Sequence, residues 1–251
     1  MNASRSAKSQ SEQPWLGAWR IAFFGGSFDP PHMGHLAAAR AARDAFELDF
    51  VLFAPVGAQP LKPDGSSASF EQRAAMTRLA IDGERGFAVS LADAPKHSGG
   101  SFAPNYTIDT LKEVRATLQR ECALYCLMGA DSFFGLHHWH RATEIPFVAT
   151  LIVASRPGQP LDGLKAAFPA GLTLERAPKQ DRSNFNVEVR AFTLAGPAGK
   201  RAPFYVLPGL DVEISATEIR EQLHHERESG SVGMVLPPRV AEYIRAHGLY
   251  R

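Results

Sequence analysis

Two histidines with helical spacing stand in a glycine-rich stretch, GGSFDPPHMGHL, at residues 25–36. His32 and His35 are three residues apart, so they share one face if a helix begins at Met33, and both imidazoles can donate hydrogen bonds to phosphate oxygens. The amides and dipole of a helix N-terminus also favour an anion. Three glycines leave room for a ligand to approach the backbone: Gly25, Gly26 and Gly34. The stretch therefore predicts a phosphate-binding turn.

Two other interpretations of this stretch stay open. It is also compatible with a glycine turn followed by ordinary surface or core histidines, or with a metal site in which Asp29 joins His32 and His35. The metal interpretation is weaker, because a phosphate-cradling turn has no role in a simple metal site. The stretch lacks the GK[ST] ending of a Walker A loop and the G-x-G-x-x-G dinucleotide fingerprint.

A second candidate site lies at ISATEIR, residues 214–220. Ser215 and Thr217 offer hydroxyls and helix-start amides to phosphate, and Arg220 supplies a planar, permanently charged fork one turn later. Taken alone, this is an ordinary capped helix start. Paired with the first site, it predicts that the two sites together bind a triphosphate along its length.

Alternating strand and helix patterns predict the elements that position these sites. Apolar runs predict strands at 21–24, 50–56, 87–92, 123–129, 149–155 and 204–208. Helices are predicted at 33–47, 69–82, 106–120, 131–137, 214–223 and 237–250. This order indicates an α/β fold with a doubly wound parallel sheet, in which ligands bind beyond the carboxyl ends of the strands.

Length and composition favour one folded domain. The chain has 251 residues, of which 45% are hydrophobic and 21% charged, so it can bury a sizeable core. We predict a mobile N-terminal tail at 1–18 and a single domain at 19–251. Prolines suggest an irregular excursion from the sheet at about 157–203. Cys122 and Cys126 lie in the apolar run CALYCLM, four residues apart on a predicted strand and beyond disulfide reach, so they are predicted to be core thiols. Two cysteines alone also make no zinc site.

Charge and hydropathy exclude several partners. Lys and Arg total 27 against 26 for Asp and Glu, a net charge of +1, which gives no basis for binding a nucleic-acid polymer or an anionic membrane. The sequence has no run of eighteen apolar residues and no apolar stretch typical of a secretory signal near its N-terminus. We therefore expect a cytoplasmic protein, with its oligomeric state open.

The first site resembles the GxFDPxHxGH signature of the nucleotidyltransferase superfamily, and the second resembles its ISSTxIR motif, with Ala216 in place of a serine. Within that superfamily, residues 20–250 resemble the bacterial nicotinate-mononucleotide adenylyltransferases. APVGAQPLKP is similar to that family's PxxxPPHK loop, APNYTIDTL to its SYTxxTL segment, and LMGADSFFGLHHWHRATEI to its GxDxxxxxxxW block. The departures are Ser27, Pro31, Leu61 and Ala216.

The resemblance implies a Rossmann-like nucleotidyltransferase fold with a C-terminal helical portion. It also implies adenylyl transfer from ATP to nicotinate mononucleotide, and the chemistry of that reaction implies Mg²⁺ bound to the ATP phosphates. The residues assigned to phosphate stabilisation in catalysis are His32, His35, Lys62 and Arg220. Those assigned to ATP are Gly25, Gly26, Ser27, Phe28, Gly34, Gly129, Asp131, Ser215 and Thr217. Those assigned to the pyridine substrate are Thr107, Trp139 and His140.

Chemistry supports part of this assignment independently. Trp139 lies in a polar, histidine-rich loop, so its indole face is available to stack on a flat ring, although a lone tryptophan more often anchors the surface to the core. Asp131 can accept hydrogen bonds from ribose hydroxyls. A metal site at His137, His138 and His140 is discounted, since their spacings point to different faces of a regular element.

Other functions remain as alternatives. The acceptor could be nicotinamide mononucleotide or another phosphorylated compound, or the protein could bind nucleotide without turnover. A metal-dependent hydrolase would instead release phosphate or AMP. A class I aminoacyl-tRNA synthetase is disfavoured, because no KMSKS-like segment is evident.

Overall fold

The computed structural model of this chain describes residues 13–61, 65–98, 101–155, 162–176, 188–208, 215–225 and 235–251. The strands in these ranges are β1 (Arg20–Gly26), β2 (Phe50–Pro55), β3 (Phe87–Val89), β4 (Lys96–Ser98), β5 (Ser101–Ala103), β6 (Ala123–Gly129), β7 (Thr150–Ala154), β8 (Thr173–Arg176), β9 (Arg190–Ala195) and β10 (Arg201–Leu207). The helices are α1 (Met33–Phe46), α2 (Phe70–Ala80), α3 (Thr107–Thr117), α4 (Ala130–Phe134), α5 (Asp162–Ala167), α6 (Ala216–His225) and α7 (Pro238–His247). Short 3₁₀ turns lie at Leu136–His138, Ala142–Phe147 and Pro197–Gly199.

An eight-stranded sheet in the order β3-β2-β1-β6-β7-β10-β9-β8 forms the centre of the fold. The first six strands in this order, from β3 through β10, pair in parallel. The last two are antiparallel to their neighbours: β9 to β10, and β8 to β9. The chain moves outward from β1 in one direction through β2 and β3, then returns to the other side of β1 with β6. This reversal creates a crevice at the carboxyl ends of β1 and β6, where α/β sheets bind ligands. The predicted α/β, mostly parallel sheet is confirmed.

The sheet is buried on both faces, which explains the unbroken apolar runs of its central strands. In β1, Ile21 and Phe23 pack into one hydrophobic cluster, whereas Ala22 and Phe24 pack into the other. Their alternation sends successive side chains to opposite faces of the sheet. Helices on both sides are therefore needed to cover β1, as the doubly wound arrangement requires.

The helix starts follow from local capping chemistry. The Ser69 hydroxyl accepts the Gln72 amide at 3.2 Å, and the Gln72 side chain accepts the Ser69 amide at 2.9 Å, a reciprocal cap for α2. Helix α7 begins with Pro238 and is capped after His247 by Gly248, whose φ of +61° suits a glycine.

Two predictions about chain organisation need correction. Trp15 and Ala18 are buried in the core, so the predicted tail at 1–18 extends too far toward the domain. Residues 1–12 of that tail lie outside the described residues. The predicted excursion at about 157–203 is also wrong for its described part, because β8 and β9 extend the main sheet. Proline density misled here, since Pro203 is itself accommodated within β10.

Smaller differences concern element ends. The helix predicted at 131–137 stops at Phe134, and a 3₁₀ turn follows Gly135. The β4-β5 hairpin was not predicted. Cys122 and Cys126 are buried free thiols as expected, and burial raises the pKa of the Cys126 thiol to about 12. Within the described ranges, none of the helices has the length and apolarity to cross a membrane.

Candidate active site

Residues 27–32, which we call the histidine turn, connect β1 to α1 at the crevice. His32 is the residue before the first turn of α1, and its main-chain N–H donates to Nδ1 of His35 at 3.2 Å. The two imidazole rings lie 3.8 Å apart between centroids. Because Nδ1 of His35 accepts this hydrogen bond, the neutral ring carries its proton on Nε2. The local geometry thus leaves His35 with an N–H donor suited to a phosphate oxygen.

Burial lowers the pKa of His35 well below 6.5, and the neighbouring His32 lowers it further. The ring is therefore neutral at pH 7. Phe28 supports it from the core, with ring centroids 4.9 Å apart. Since Phe28 is only 1% exposed, any contact it makes with a nucleotide has to come from its backbone.

The lowered pKa of His35 predicts a pH-dependent stability. Between the folded-state pKa and about 6.5, the unfolded chain binds a proton that the folded chain resists, so the free energy of unfolding falls as pH drops through this window. The contribution is complete above pH 6.5. Urea unfolding of the wild type and of His35→Gln, each at about pH 5 and about pH 7.5, measures the change in the free energy of unfolding between the two pH values. We expect a smaller pH difference in the variant, and equal differences would contradict the assignment.

One helix-start amide of α1 is already used. The Met33 N–H donates to the Val235 carbonyl at 2.9 Å, from the segment before α7. Side chains and the β1-α1 turn are therefore better placed than this amide to contact a phosphate.

Residues of the second candidate site, ISATEIR, contact the first candidate site in the fold. Nη1 of Arg220, on α6, donates to the Asp29 carbonyl at 2.8 Å, and its Nη2 lies 3.2 Å from the Thr217 hydroxyl. The Ser215 hydroxyl accepts the Glu218 amide at 3.2 Å, while the Glu218 carboxylate accepts the Ser215 amide at 2.8 Å. Ser215 is thus a helix cap, as in the ordinary interpretation of this motif, and Arg220 joins the histidine turn.

A cleft of about 630 Å³ opens beside this turn at the carboxyl ends of β1, β2 and β6. Of the residues assigned from the sequence, those lining it are Gly25, Gly26, Ser27, Thr107, Asp131, Trp139 and His140. The Tyr106 ring packs against the His140 ring, with centroids 4.3 Å apart. The cleft therefore combines Gly25, Gly26 and Ser27, which we call the glycine turn, with all three residues assigned to the pyridine substrate.

The remaining assigned residues that the structure describes do not line the cleft, and these include His32, His35 and Arg220. Gly34 lies in the first turn of α1 between the two histidines, and Gly129 ends β6. A Cβ added at Gly129 would meet open space within the described structure. Lys62 lies outside the described residues.

A metal centre at the histidine turn does not fit the position of Asp29. Its carboxylate accepts hydrogen bonds from the amides of Ser67 and Ala68 at 2.6 and 3.1 Å, and from the Tyr250 hydroxyl at 2.7 Å. Among the residues that the structure describes, no group of three or more His, Cys, Asp or Glu side chains is placed to hold a metal ion.

Sequence reasoning missed the polar residues that shape the cleft. The side chain of Asn105 accepts the Ala58 amide at 3.0 Å and donates to the carbonyls of Asp93 and Ala94 at 3.1 and 3.0 Å. It thereby fastens the loops after β2 and β3 to the start of α3. Burial raises the pKa of the Asp93 carboxyl, which accepts the Thr110 hydroxyl at 2.6 Å. The APNYT segment was the available signal for Asn105.

The histidine turn, the arginine of α6 and the crevice of a mostly parallel sheet together define an α/β nucleotidyltransferase. Consistent with this class, the cytidylyltransferase-like family model matches residues 23–222. The chain is 34% identical to the "probable nicotinate-nucleotide adenylyltransferase" of Solibacter usitatus (strain Ellin6076), covering 92% of this chain and 99% of the relative. The protein of that name from Gloeobacter violaceus (strain ATCC 29082 / PCC 7421) is 36% identical, over 92% and 96% of the two chains. The chain therefore belongs to the nicotinate-nucleotide adenylyltransferase family.

Solved structures agree on the fold. The Plasmodium falciparum nicotinic acid mononucleotide adenylyltransferase complexed with NaAD superposes with a TM-score of 0.63. The match covers 92% of this chain and 97% of that chain, at 16% sequence identity.

Proposed function

We propose that this protein transfers the adenylyl group of ATP to nicotinate mononucleotide, giving nicotinate adenine dinucleotide and pyrophosphate, in NAD biosynthesis. The observation that carries the proposal is the cleft at the crevice, where the glycine turn meets Thr107, Trp139 and His140. A single cleft can thus hold a pyridine ring at one end and phosphates at the other. The relatives named above, and a structural neighbour complexed with NaAD, support the same reaction.

In the proposed reaction, a phosphate oxygen of nicotinate mononucleotide attacks the α-phosphorus of ATP. The bond from that phosphorus to the bridging oxygen breaks, and pyrophosphate leaves with the electron pair. The attacking phosphate is already anionic near neutral pH, so the chain need not supply a general base. Its contribution is positioning and neutralisation of phosphate charge.

We assign the stabilisation of phosphate charge to four side chains. His35 donates from Nε2 to a phosphate oxygen, with His32 beside it. Arg220 contributes its fixed charge from the edge of the histidine turn. Lys62 is assigned to the same triphosphate by resemblance alone.

The donor set fits a magnesium ion that enters with ATP. The side chains nearest the proposed triphosphate, His32, His35 and Arg220, present nitrogen atoms, whereas Mg²⁺ prefers oxygen ligands. Phosphate oxygens and water would then hold the ion. When bound, it screens the negative charge of the triphosphate.

The pyridine end of the cleft suits a carboxylate. Thr107 is the first residue of α3, so its amide has no acceptor within the helix, and the helix dipole favours a negative group there. We assign this amide and that of His140 to the nicotinate carboxylate, and the indole of Trp139 to stacking on the ring. A carboxamide would leave its NH₂ facing N–H donors. Asp131, in the same cleft, is assigned to ribose hydroxyls, and Gly129, Ser215 and Thr217 to the border of the nucleotide.

Product analysis tests the reaction class. Purified protein with Mg-ATP and nicotinate mononucleotide is expected to form dinucleotide and pyrophosphate in equal amounts, without free phosphate or AMP. Chromatographic quantification of all four products over time makes the measurement. Phosphate or AMP would indicate a hydrolase, and ATP binding without any product would indicate a nucleotide-binding protein.

A further inference from the structure

A polar cluster with two buried members, Asp29 and Arg73, lies next to the histidine turn and links it to the C-terminal end of the sequence. We call it the Asp29 cluster, comprising Asp29, Arg73, Arg220 and Tyr250. Asp29 is 3% exposed, and its carboxylate accepts the Tyr250 hydroxyl at 2.7 Å. Tyr250 comes from the segment after α7, 221 positions away in the sequence. Its hydroxyl is the one side-chain donor to this carboxylate that the described hydrogen bonds include.

Arg73 is the second buried member of the cluster. It is 2% exposed, and its guanidinium donates to three main-chain carbonyls: Ser27 at 2.6 Å, Val56 at 2.7 Å and Ala68 at 3.2 Å. These carbonyls belong to the turn after β1, the end of β2 and the start of α2. A planar guanidinium can reach all three at once, which a lysine ammonium on a flexible stem cannot do equally well.

The two buried charges also stabilise one another. Burial lowers the pKa of the Arg73 guanidinium, and the Asp29 carboxylate opposes that shift. Burial and the hydrogen bond to Asp29 raise the pKa of the Tyr250 phenol, so the hydroxyl stays protonated and keeps donating. A buried charge that loses a hydrogen-bond partner is costly, so each member constrains the next.

Side chains from elsewhere in the fold thus fix both ends of the segment 27–29. Arg73 holds the Ser27 carbonyl, and Tyr250 holds the Asp29 side chain. The carbonyl of the same Asp29 accepts Nη1 of Arg220 at 2.8 Å. Any rotation of Asp29 therefore moves the acceptor that orients Arg220.

We infer that Tyr250 and Arg73 are positioning residues for the ATP phosphates, acting through Asp29 and the turn 27–29 on Arg220. Neither residue lines the cleft. The inference rests on the proposed function, because it takes Arg220 to bind the triphosphate. It predicts that loss of the Tyr250 hydroxyl weakens ATP binding and leaves the pyridine end of the cleft unchanged.

Three full-length variants test this inference. Tyr250→Phe removes the hydroxyl, and Arg73→Lys keeps the charge but loses the planar fork. Tyr243→Phe is the matched control, because Tyr243 lies on α7 with its ring stacked on His247 at 3.9 Å, away from the cluster. The measurements are the Kd for Mg-ATP by calorimetry, KM for each substrate, kcat and the Tm without ligand.

Tyr250→Phe is expected to raise the Kd for Mg-ATP about tenfold, the scale of one lost hydrogen bond to a charged group. KM for nicotinate mononucleotide should change by less than about twofold. Arg73→Lys should raise the Kd for Mg-ATP by more than Tyr250→Phe does, and Tyr243→Phe should match the wild type.

An unchanged Kd for Mg-ATP in Tyr250→Phe would overturn the inference, whether or not its Tm falls. An equal rise in both KM values would also overturn it, because a general loss of structure would then explain the effect. If Arg73→Lys does not fold, Tyr250→Phe still decides the result. If the wild type binds Mg-ATP but makes no dinucleotide, the proposed function fails, while the Kd comparison still tests the positioning role.

Discussion

Replacing His35 with alanine is expected to lower kcat by about a hundredfold or more, with little change in KM for nicotinate mononucleotide. The neutral ring presents an Nε2 N–H because its Nδ1 accepts the His32 amide at 3.2 Å. A donor placed in advance stabilises charge that develops on the phosphate oxygens in the transition state, so its loss acts on kcat. Steady-state kinetics with Mg-ATP and nicotinate mononucleotide provide the measurement.

Two further variants sharpen the His35 experiment. His35→Gln can place an N–H near the position of Nε2, so we expect it to recover part of the lost activity. His247→Ala removes an exposed histidine of α7 and serves as the control, with activity equal to that of the wild type. Near-normal turnover by His35→Ala would remove His35 from the mechanism.

Arg220→Ala is expected to lower kcat/KM for ATP by about a hundredfold, the second largest effect. Nη1 of Arg220 donates to the Asp29 carbonyl at 2.8 Å and Nη2 donates to the Thr217 hydroxyl at 3.2 Å, which leaves the remaining N–H groups of the fork to meet phosphate oxygens. Because the fixed charge is lost together with its orientation, both binding and turnover should suffer. Initial rates at varied Mg-ATP and saturating nicotinate mononucleotide measure the change.

Arg220→Lys separates charge from geometry at the same position. Lysine keeps the charge but cannot bridge the carbonyl and a phosphate in one plane, so intermediate activity is expected. Arg245→Ala, on the exposed side of α7, is the matched control and should resemble the wild type. If Arg220→Ala matched that control, the second motif would be only a capped helix start.

The central sheet was predictable because its strands are covered on both faces. Continuous apolar runs such as β1, with Ile21 and Phe23 on one side and Ala22 and Phe24 on the other, have few other stable arrangements. The antiparallel strands β8 and β9 lie at one edge of the sheet, where burial is incomplete and the apolar pattern is weak. Their pairing depends on the sheet already being present, so local sequence could not indicate it.

The site was predictable to the extent that its chemistry is local. His32 and His35 follow a strand and share a helical turn, so their spacing of three positions in the sequence indicates that they act at one site. Arg73 and Tyr250 carried no such signal. Their partners lie 46 and 221 positions away, and a buried polar residue in a helix or near a chain end resembles a solvated one until those partners are known.

The acceptor preference tests the central claim most directly. Initial rates of pyrophosphate release with Mg-ATP should be compared for nicotinate mononucleotide and nicotinamide mononucleotide at matched concentrations. We predict a kcat/KM at least about tenfold higher for the acid, since a site of N–H donors leaves the NH₂ of the amide unpaired. Equal rates, or a preference for the amide, would contradict the carboxylate pocket at Thr107 and His140 and the function proposed for this protein.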